Sequence, residues 1–164
     1  MAGPMERAFV GVGANLGDAR AAVVAALQAL GRLPRTQRLA CSSLYRSAPV
    51  DAAGPDYINA VAELRTALPP HELLRRLQAV EQDFGRTRGA RNAPRTLDLD
   101  LLLQGERVLH DDELTLPHPR LHLRAFVLQP LAELDPLLTL PGLGALAPWL
   151  RRASDQSIER IAAA

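Results

Sequence analysis

Apolar positions in this chain follow two periods, and the switches between them mark out the elements. Ala8-Phe9-Val10-Gly11-Val12-Gly13 reads as a first strand. Val23, Ala26, Leu27 and Leu30 then share one face of a helix that Asp18 caps and Gly31 ends. Residues 39–46 and 57–66 read as two strands, joined by the loop Ser47 to Asp56, which is too long for a tight hairpin and of a length often tied to function. Pro69-Pro70 opens a second helix with Leu73, Leu74, Leu77, Val80 and Phe84 on its apolar side and Gly85 at its end. A further strand follows at Leu97–Leu103. The order strand, helix, strand, strand, helix, strand predicts an α+β, ferredoxin-like βαββαβ core. Beyond it, 105–117 reads as a small added hairpin, 121–133 and 143–152 as C-terminal helices, and 153–164 as a frayed tail.

The last core strand carries the sharpest chemistry. In Leu97-Asp98-Leu99-Asp100-Leu101 the leucines face one way and both aspartates the other. Two carboxylates so spaced lie about 6.6 Å apart along a strand. That separation can bracket a pair of divalent cations acting on a phosphoryl group. Leu101-Leu102-Leu103 breaks the alternation as a buried central strand does, so a central strand with acids beneath a cleft is expected. Taken alone, a D-x-D pair is more simply the wet face of an amphipathic strand. What changes the weighting is the loop before it, 85–95, with two glycines, no apolar anchor and Arg86, Arg88, Arg91 and Arg95 within ten residues. It reads either as a solvated turn or as a lid closing over nucleotide phosphates.

Composition narrows the options. A chain of 164 residues, 48% hydrophobic and 23% charged, predicts one folded domain over 1–164. A net charge of +1 gives no argument for a nucleic-acid or membrane partner. No segment reaches a membrane-spanning length, and a cytoplasmic protein is expected. All 19 basic residues are arginine. That excludes Schiff-base and P-loop lysine chemistry, so phosphate must be met by guanidinium forks, backbone amides or metal. The lone Cys41 excludes an internal disulfide and reads as a small strand residue.

Other residues are weaker signals singly. Glu81 stands at the edge of the second helix's apolar stripe, with Gln78 one turn earlier, and reads first as a surface residue with a buried stem. His118 sits between Pro117 and Pro119 in a rigid extended turn, with Arg124 six residues on and Phe126 opening an apolar run. It is either a satisfied turn histidine or a phosphate contact. Gly11-Val12-Gly13-Ala14-Asn15-Leu16-Gly17 fails the dinucleotide fingerprint in spacing and context.

Six segments together resemble the hydroxymethyl-dihydropterin pyrophosphokinase family of folate synthesis. They are Gly13-Ala14-Asn15-Leu16-Gly17, Ser43-Leu44-Tyr45-Arg46-Ser47, Pro55-Asp56-Tyr57-Ile58-Asn59, Gly85-Arg86-Thr87-Arg88, Pro94 through Asp100, and Pro117-His118-Pro119. The resemblance runs from about Phe9 to Leu131 and implies transfer of the terminal diphosphate of ATP to the pterin's hydroxymethyl oxygen, releasing AMP. It implies two Mg²⁺ ions on Asp98 and Asp100, with Arg86, Arg88, Arg95, Arg124, His118 and Thr115 on the triphosphate. Asp98, Asp100, Arg86 and Arg95 would form the catalytic set. Gln78, Glu81 and the backbone at Leu101 would seat the nucleotide. Tyr57 and Phe126 would stack on the pterin, Asn59 would read its hydrogen-bonding edge, and Ser47, Ala48, Val50 and Asp98 would complete that subsite. A monomer acting on small molecules is implied. The chain departs from some members at Asn92 (tryptophan there), Glu113 (arginine there) and Pro119 (an aromatic there). Two rivals remain at this stage: a two-metal phosphohydrolase or nucleotidyltransferase on a similar core, and a non-catalytic binding module.

Overall fold

The computed structural model describes residues 4–49, 54–85 and 97–164. Within them an antiparallel sheet is covered on both faces by helices. Its strands are β1 (Glu6–Ala14), β2 (Thr36–Cys41), β3 (Leu44–Ser47), β4 (Tyr57–Thr66), β5 (Asp98–Gln104) and β10 (Ile158–Ala162). Two small hairpins, β6 (Leu109–His110) with β7 (Thr115–Leu116) and β8 (Thr139–Leu140) with β9 (Gly144–Ala145), lie outside it. The helices are α1 (Ala19–Leu30), α2 (Pro70–Gly85), α3 (Ala125–Leu134) and α4 (Leu146–Arg152), with a 3-10 turn at Leu121–Leu123. Spatial order is β10-β3-β4-β1-β5, and β2 pairs with the far end of β4.

The two faces follow from strand alternation. Ala8, Val10, Val12, Leu99 and Leu101 join Val23, Leu27 and Leu30 of α1 and Leu73 and Leu77 of α2 in one core. Phe9, Val61, Leu102 and Leu103 join Leu121, Leu128 and Leu131 in a second core on the other face, closed by α4. The first helix begins as its sequence dictates: Asp18 Oδ1 accepts the Ala21 amide at 3.1 Å.

Several expectations are corrected. The strand read over 39–46 is two strands, 36–41 and 44–47, because Ser42 folds its hydroxyl into the ladder. Ser42 Oγ accepts from Val61 N at 2.9 Å, while Ser42 N donates to Val61 O at 2.8 Å. Among the described residues the aspartate strand β5 is not central but ends the sheet, pairing with β1 alone. Leu101-Leu102-Leu103 breaks alternation through a bulge opposite Phe9 and Val10, which sends both Leu102 and Leu103 into the second core. The outer edge is shielded by the segment after β7, where His118 N donates to Leu102 O at 2.9 Å. Nor is 153–164 a frayed tail: β10 pairs antiparallel with β3, Ile158 opposite Ser47. No helix among the described residues is long and apolar enough to cross a membrane.

Candidate active site

Two cavities meet at the N-terminal end of β5. The first, about 300 Å³, is floored by Gly11, Val12 and Gly13 of β1. Ser47, Ala48 and Pro49 from the end of β3, Tyr57 and Asn59 from the start of β4, Arg124, Phe126 and Val127 from the head of α3, and Asp98 and Asp100 complete it. The second, about 270 Å³, lies between α2, β5 and the β6–β7 hairpin, with Asp100, Leu101, Glu113, Thr115 and His118 among its walls. Asp100 belongs to both. Leu97, Leu99 and Leu101 are buried, whereas Asp98 is exposed and Asp100 half-exposed, so both carboxylates stand on the cleft side.

The strand is held where it carries acids. Glu81 of α2 accepts the Leu99 amide at 2.8 Å, which ties helix to strand between the two aspartates. His118 is fixed by its own turn: Nδ1 accepts the Arg120 amide at 3.2 Å, so the ring proton resides on Nε2, 3.9 Å from Asp100 Oδ1. Burial pushes this imidazole below its ordinary value, Asp100 opposes the shift, and Arg124 and Arg120 add to it. The outcome is a neutral ring with an N–H directed at the cleft.

The first cavity suits a flat polar ring. Tyr57 and Phe126 supply aromatic faces, and Arg124 lies over the Phe126 ring at 5.3 Å. Asn59 is 4% exposed and donates through Nδ2 to Ser47 Oγ at 2.7 Å, so its amide plane is set before any ligand arrives. Gly13 permits this approach, since a Cβ there would stand 3.2 Å from Asn59 Oδ1.

Of the residues singled out from sequence, Ser47, Ala48, Tyr57, Asn59, Asp98, Arg124 and Phe126 gather in the first cavity, and Leu101, Thr115 and His118 in the second. Gln78 is exposed on α2 outside both linings. Glu81 is engaged with the Leu99 backbone. Val50, Arg86, Arg88 and Arg95, with the lid reading of 85–95, lie outside the described residues, apart from Gly85 at the end of α2. Sequence reasoning missed the β1 floor, whose glycines it read only as part of the first strand, and Asn15, whose side chain donates to Pro55 O at 3.4 Å. The Gly-Ala-Asn-Leu-Gly segment was the available signal for that floor.

Comparison with known proteins gives one answer. Residues 9–136 match the family model described as 7,8-dihydro-6-hydroxymethylpterin-pyrophosphokinase. A 2-amino-4-hydroxy-6-hydroxymethyldihydropteridine pyrophosphokinase of Pseudomonas aeruginosa is 46% identical over 158 residues, 96% of this chain and 98% of the relative. Its namesake in Haemophilus influenzae is 37% identical over 96% of this chain and 99% of its own. Among solved structures, wild-type Plasmodium falciparum HPPK-DHPS with SDX-DHP superposes with a TM-score of 0.74 at 10% identity. It covers 90% of this chain, which spans only 44% of that longer one, and it speaks to the fold alone. With a matching family model over most of its length and full-length relatives of one name, this chain belongs to the 7,8-dihydro-6-hydroxymethylpterin-pyrophosphokinase family.

Proposed function

We propose that the paired cavities are where this chain carries out its family's reaction, moving the terminal diphosphate of ATP to the hydroxymethyl oxygen of 6-hydroxymethyl-7,8-dihydropterin. The observation that carries the reading is Asp100, which lines both cavities and so stands where a donor in one meets an acceptor in the other. The first cavity takes the pterin, stacked against Tyr57 and Phe126 and read by Asn59 and Ser47. The second takes the nucleotide, with Thr115 and His118 toward its phosphates and the Leu101 backbone beneath.

Asp98 and Asp100 fit a divalent cation of the magnesium type. They are hard oxygen donors on the exposed side of one strand, and no cluster of three His, Cys, Asp or Glu occurs among the described residues. Magnesium suits such a pair, since it keeps water and phosphate oxygens in its remaining positions. Bound there, two Mg²⁺ ions would neutralise the triphosphate and draw charge from the leaving AMP. The protein's own work is positional. The pterin hydroxyl attacks the β-phosphorus and a new P–O bond forms. The bond from that phosphorus to the α–β bridging oxygen breaks so that AMP leaves with that oxygen, and the hydroxyl proton passes to solvent. Asp100 orients the hydroxyl. The neutral His118 donates its Nε2–H to a phosphate oxygen, and Arg124 balances charge from the pterin side. Gln78, Glu81, Val50 and the arginines 86, 88 and 95 complete the site as the family resemblance implies, with the arginines as a basic lid. The sheet order β2/β3-β4-β1-β5 with α1 and α2 on one face is our basis for reading the core as ferredoxin-like. A monomer in the cytoplasm is the working form.

Equilibrium binding separates the two subsites. Phe126→Ala is expected to weaken pterin binding about tenfold or more and leave MgATP binding within about twofold. Asp100→Ala is expected to abolish the Mg²⁺ dependence of nucleotide binding. Equal effects of both variants on both ligands would reject the assignment of cavities.

A further inference from the structure

Residues beyond the family-matched segment reach back to the site. Gln156 follows α4, and its side chain closes on the head of α3 from 31 residues away. Its Oε1 accepts the Ala125 amide at 2.9 Å, and its Nε2 donates to Leu123 O at 2.8 Å. One primary amide thus spans Arg124 at two points, as a paired strand would. Arg124 needs such a partner: it is extended at φ −120° and ψ 114°, and its own side chain gives α3 no cap. The Ala125 amide is one of the unpaired donors at a helix start, and Gln156 satisfies it from a distance.

The clip sits between the two side chains that α3 offers the first cavity. Arg124 lies inside it, Phe126 one residue past it, and the guanidinium of the first covers the ring of the second. Gln156 is anchored in turn. Its backbone N–H donates to Ala153 O at 3.0 Å, and two residues later Ile158 pairs with Ser47 on the opposite wall of the same cavity. At the far end of α3, Glu133 accepts from Ser43 N at 3.0 Å, Ser43 Oγ at 2.9 Å and Tyr45 Oη at 2.5 Å, all at the start of β3. From these bonds to the cavity is about 10 Å along the helix and about 13 Å along the strand. Helix and strand are therefore joined near both ends, and the cavity lies between the ends that Gln156 and β10 join.

We propose that Gln156 is a positioning residue, whose two-point clip on Leu123 and Ala125 sets Phe126 and Arg124 against the Ser47–Asn59 wall and thereby sets affinity for the pterin. This rests on the assignment of the first cavity to the pterin. The side chain is exposed, so its removal leaves both cores intact.

The test uses Gln156→Ala and Gln156→Glu in the full chain, with steady-state kinetics for both substrates, thermal unfolding, and hydrogen exchange at the Ala125 amide. In Gln156→Ala the Ala125 amide should exchange about tenfold faster. The pterin KM should rise about five- to twenty-fold, with the ATP KM and kcat changed less than about threefold. Tm should fall by no more than about 4 °C. Gln156→Glu keeps the acceptor and loses the donor to Leu123, so its pterin KM should lie between the two. Unchanged exchange at Ala125 would show there is no clip. Faster exchange with an unchanged pterin KM would show a clip that positions nothing. A parallel loss in kcat and both KM values with a large drop in Tm would show a merely structural role. Each of these overturns the proposal. If Phe126→Ala also leaves the pterin KM unchanged, the cavity assignment has failed and the proposal falls with it, while the exchange data still report on the clip.

Discussion

A methyl group on Gly13 would meet the side-chain Oδ1 of Asn59 at 3.2 Å, and this one close approach shows how tightly the first cavity is drawn. Gly13→Val is expected to turn the Asn59 amide from its bond to Ser47 and raise the pterin KM about tenfold, with the ATP KM unchanged in the same kinetic series. Glu133 gives a second test at this scale. Burial pushes its carboxyl up, but the bonds from Tyr45 and Ser43 outweigh that and hold it below the ordinary value of 4.5. Burial first, and then the same contact, drives the Tyr45 hydroxyl upward. A depressed carboxylate contributes stability that is fully present above the unfolded value and is lost as pH falls through the folded one. Glu133 is exposed, so solvent screens much of this gain: Glu133→Gln should cost about 0.5–1 kcal/mol near neutral pH, and denaturant melts should show that difference shrinking as pH drops below 4.5. Strand alternation was enough to set both aspartates on one side, whereas Tyr57 and Phe126 stood out only through the family resemblance; all four line the first cavity. Glu133 was not legible in this way, since its partners Ser43 and Tyr45 lie some ninety residues away in sequence.

The elements differ in how openly the sequence declares them. Both α1 and α2 follow their apolar spacing, and Asp18 caps the first as expected. Leu77 of α2 is fully buried, so Leu77→Ala should cost about 2–5 kcal/mol in urea unfolding, chiefly as cavity and lost transfer energy. Where elements were misread, a local irregularity was responsible. Ser42 substitutes its hydroxyl for a ladder group and divides one strand into two. A bulge in β5 produced the triple leucine that imitates a central strand. In β10 Ile158 and Ile161 stand three residues apart and so face opposite sides of the strand, Ile158 on one core and Ile161 on the other. An i, i+3 pair of isoleucines in a polar tail carries no period-two signal, and only the partner strand β3 gives it meaning.

For the whole molecule, arginine carries all the basic charge, and much of it is spent on the outside. Arg7 meets Glu63 and Asp135, Arg35 meets Glu72, and Arg107 meets Glu6. Arg124 is instead placed at the cleft, on the Phe126 ring. This division was invisible in a net charge of +1. Chelation of divalent cations should abolish turnover without unfolding the chain, because Asp98 and Asp100 stand outside both apolar cores; far-UV circular dichroism alongside the assay checks this. The most direct test of the account is AMP formation from ATP and Mg²⁺, with and without 6-hydroxymethyl-7,8-dihydropterin, in the wild-type chain and in Asp98→Ala. AMP that appears only with the pterin, and falls by at least about a hundredfold in the variant, is the predicted result. AMP or free phosphate released regardless of the pterin, or pterin-dependent AMP undiminished in Asp98→Ala, would contradict it.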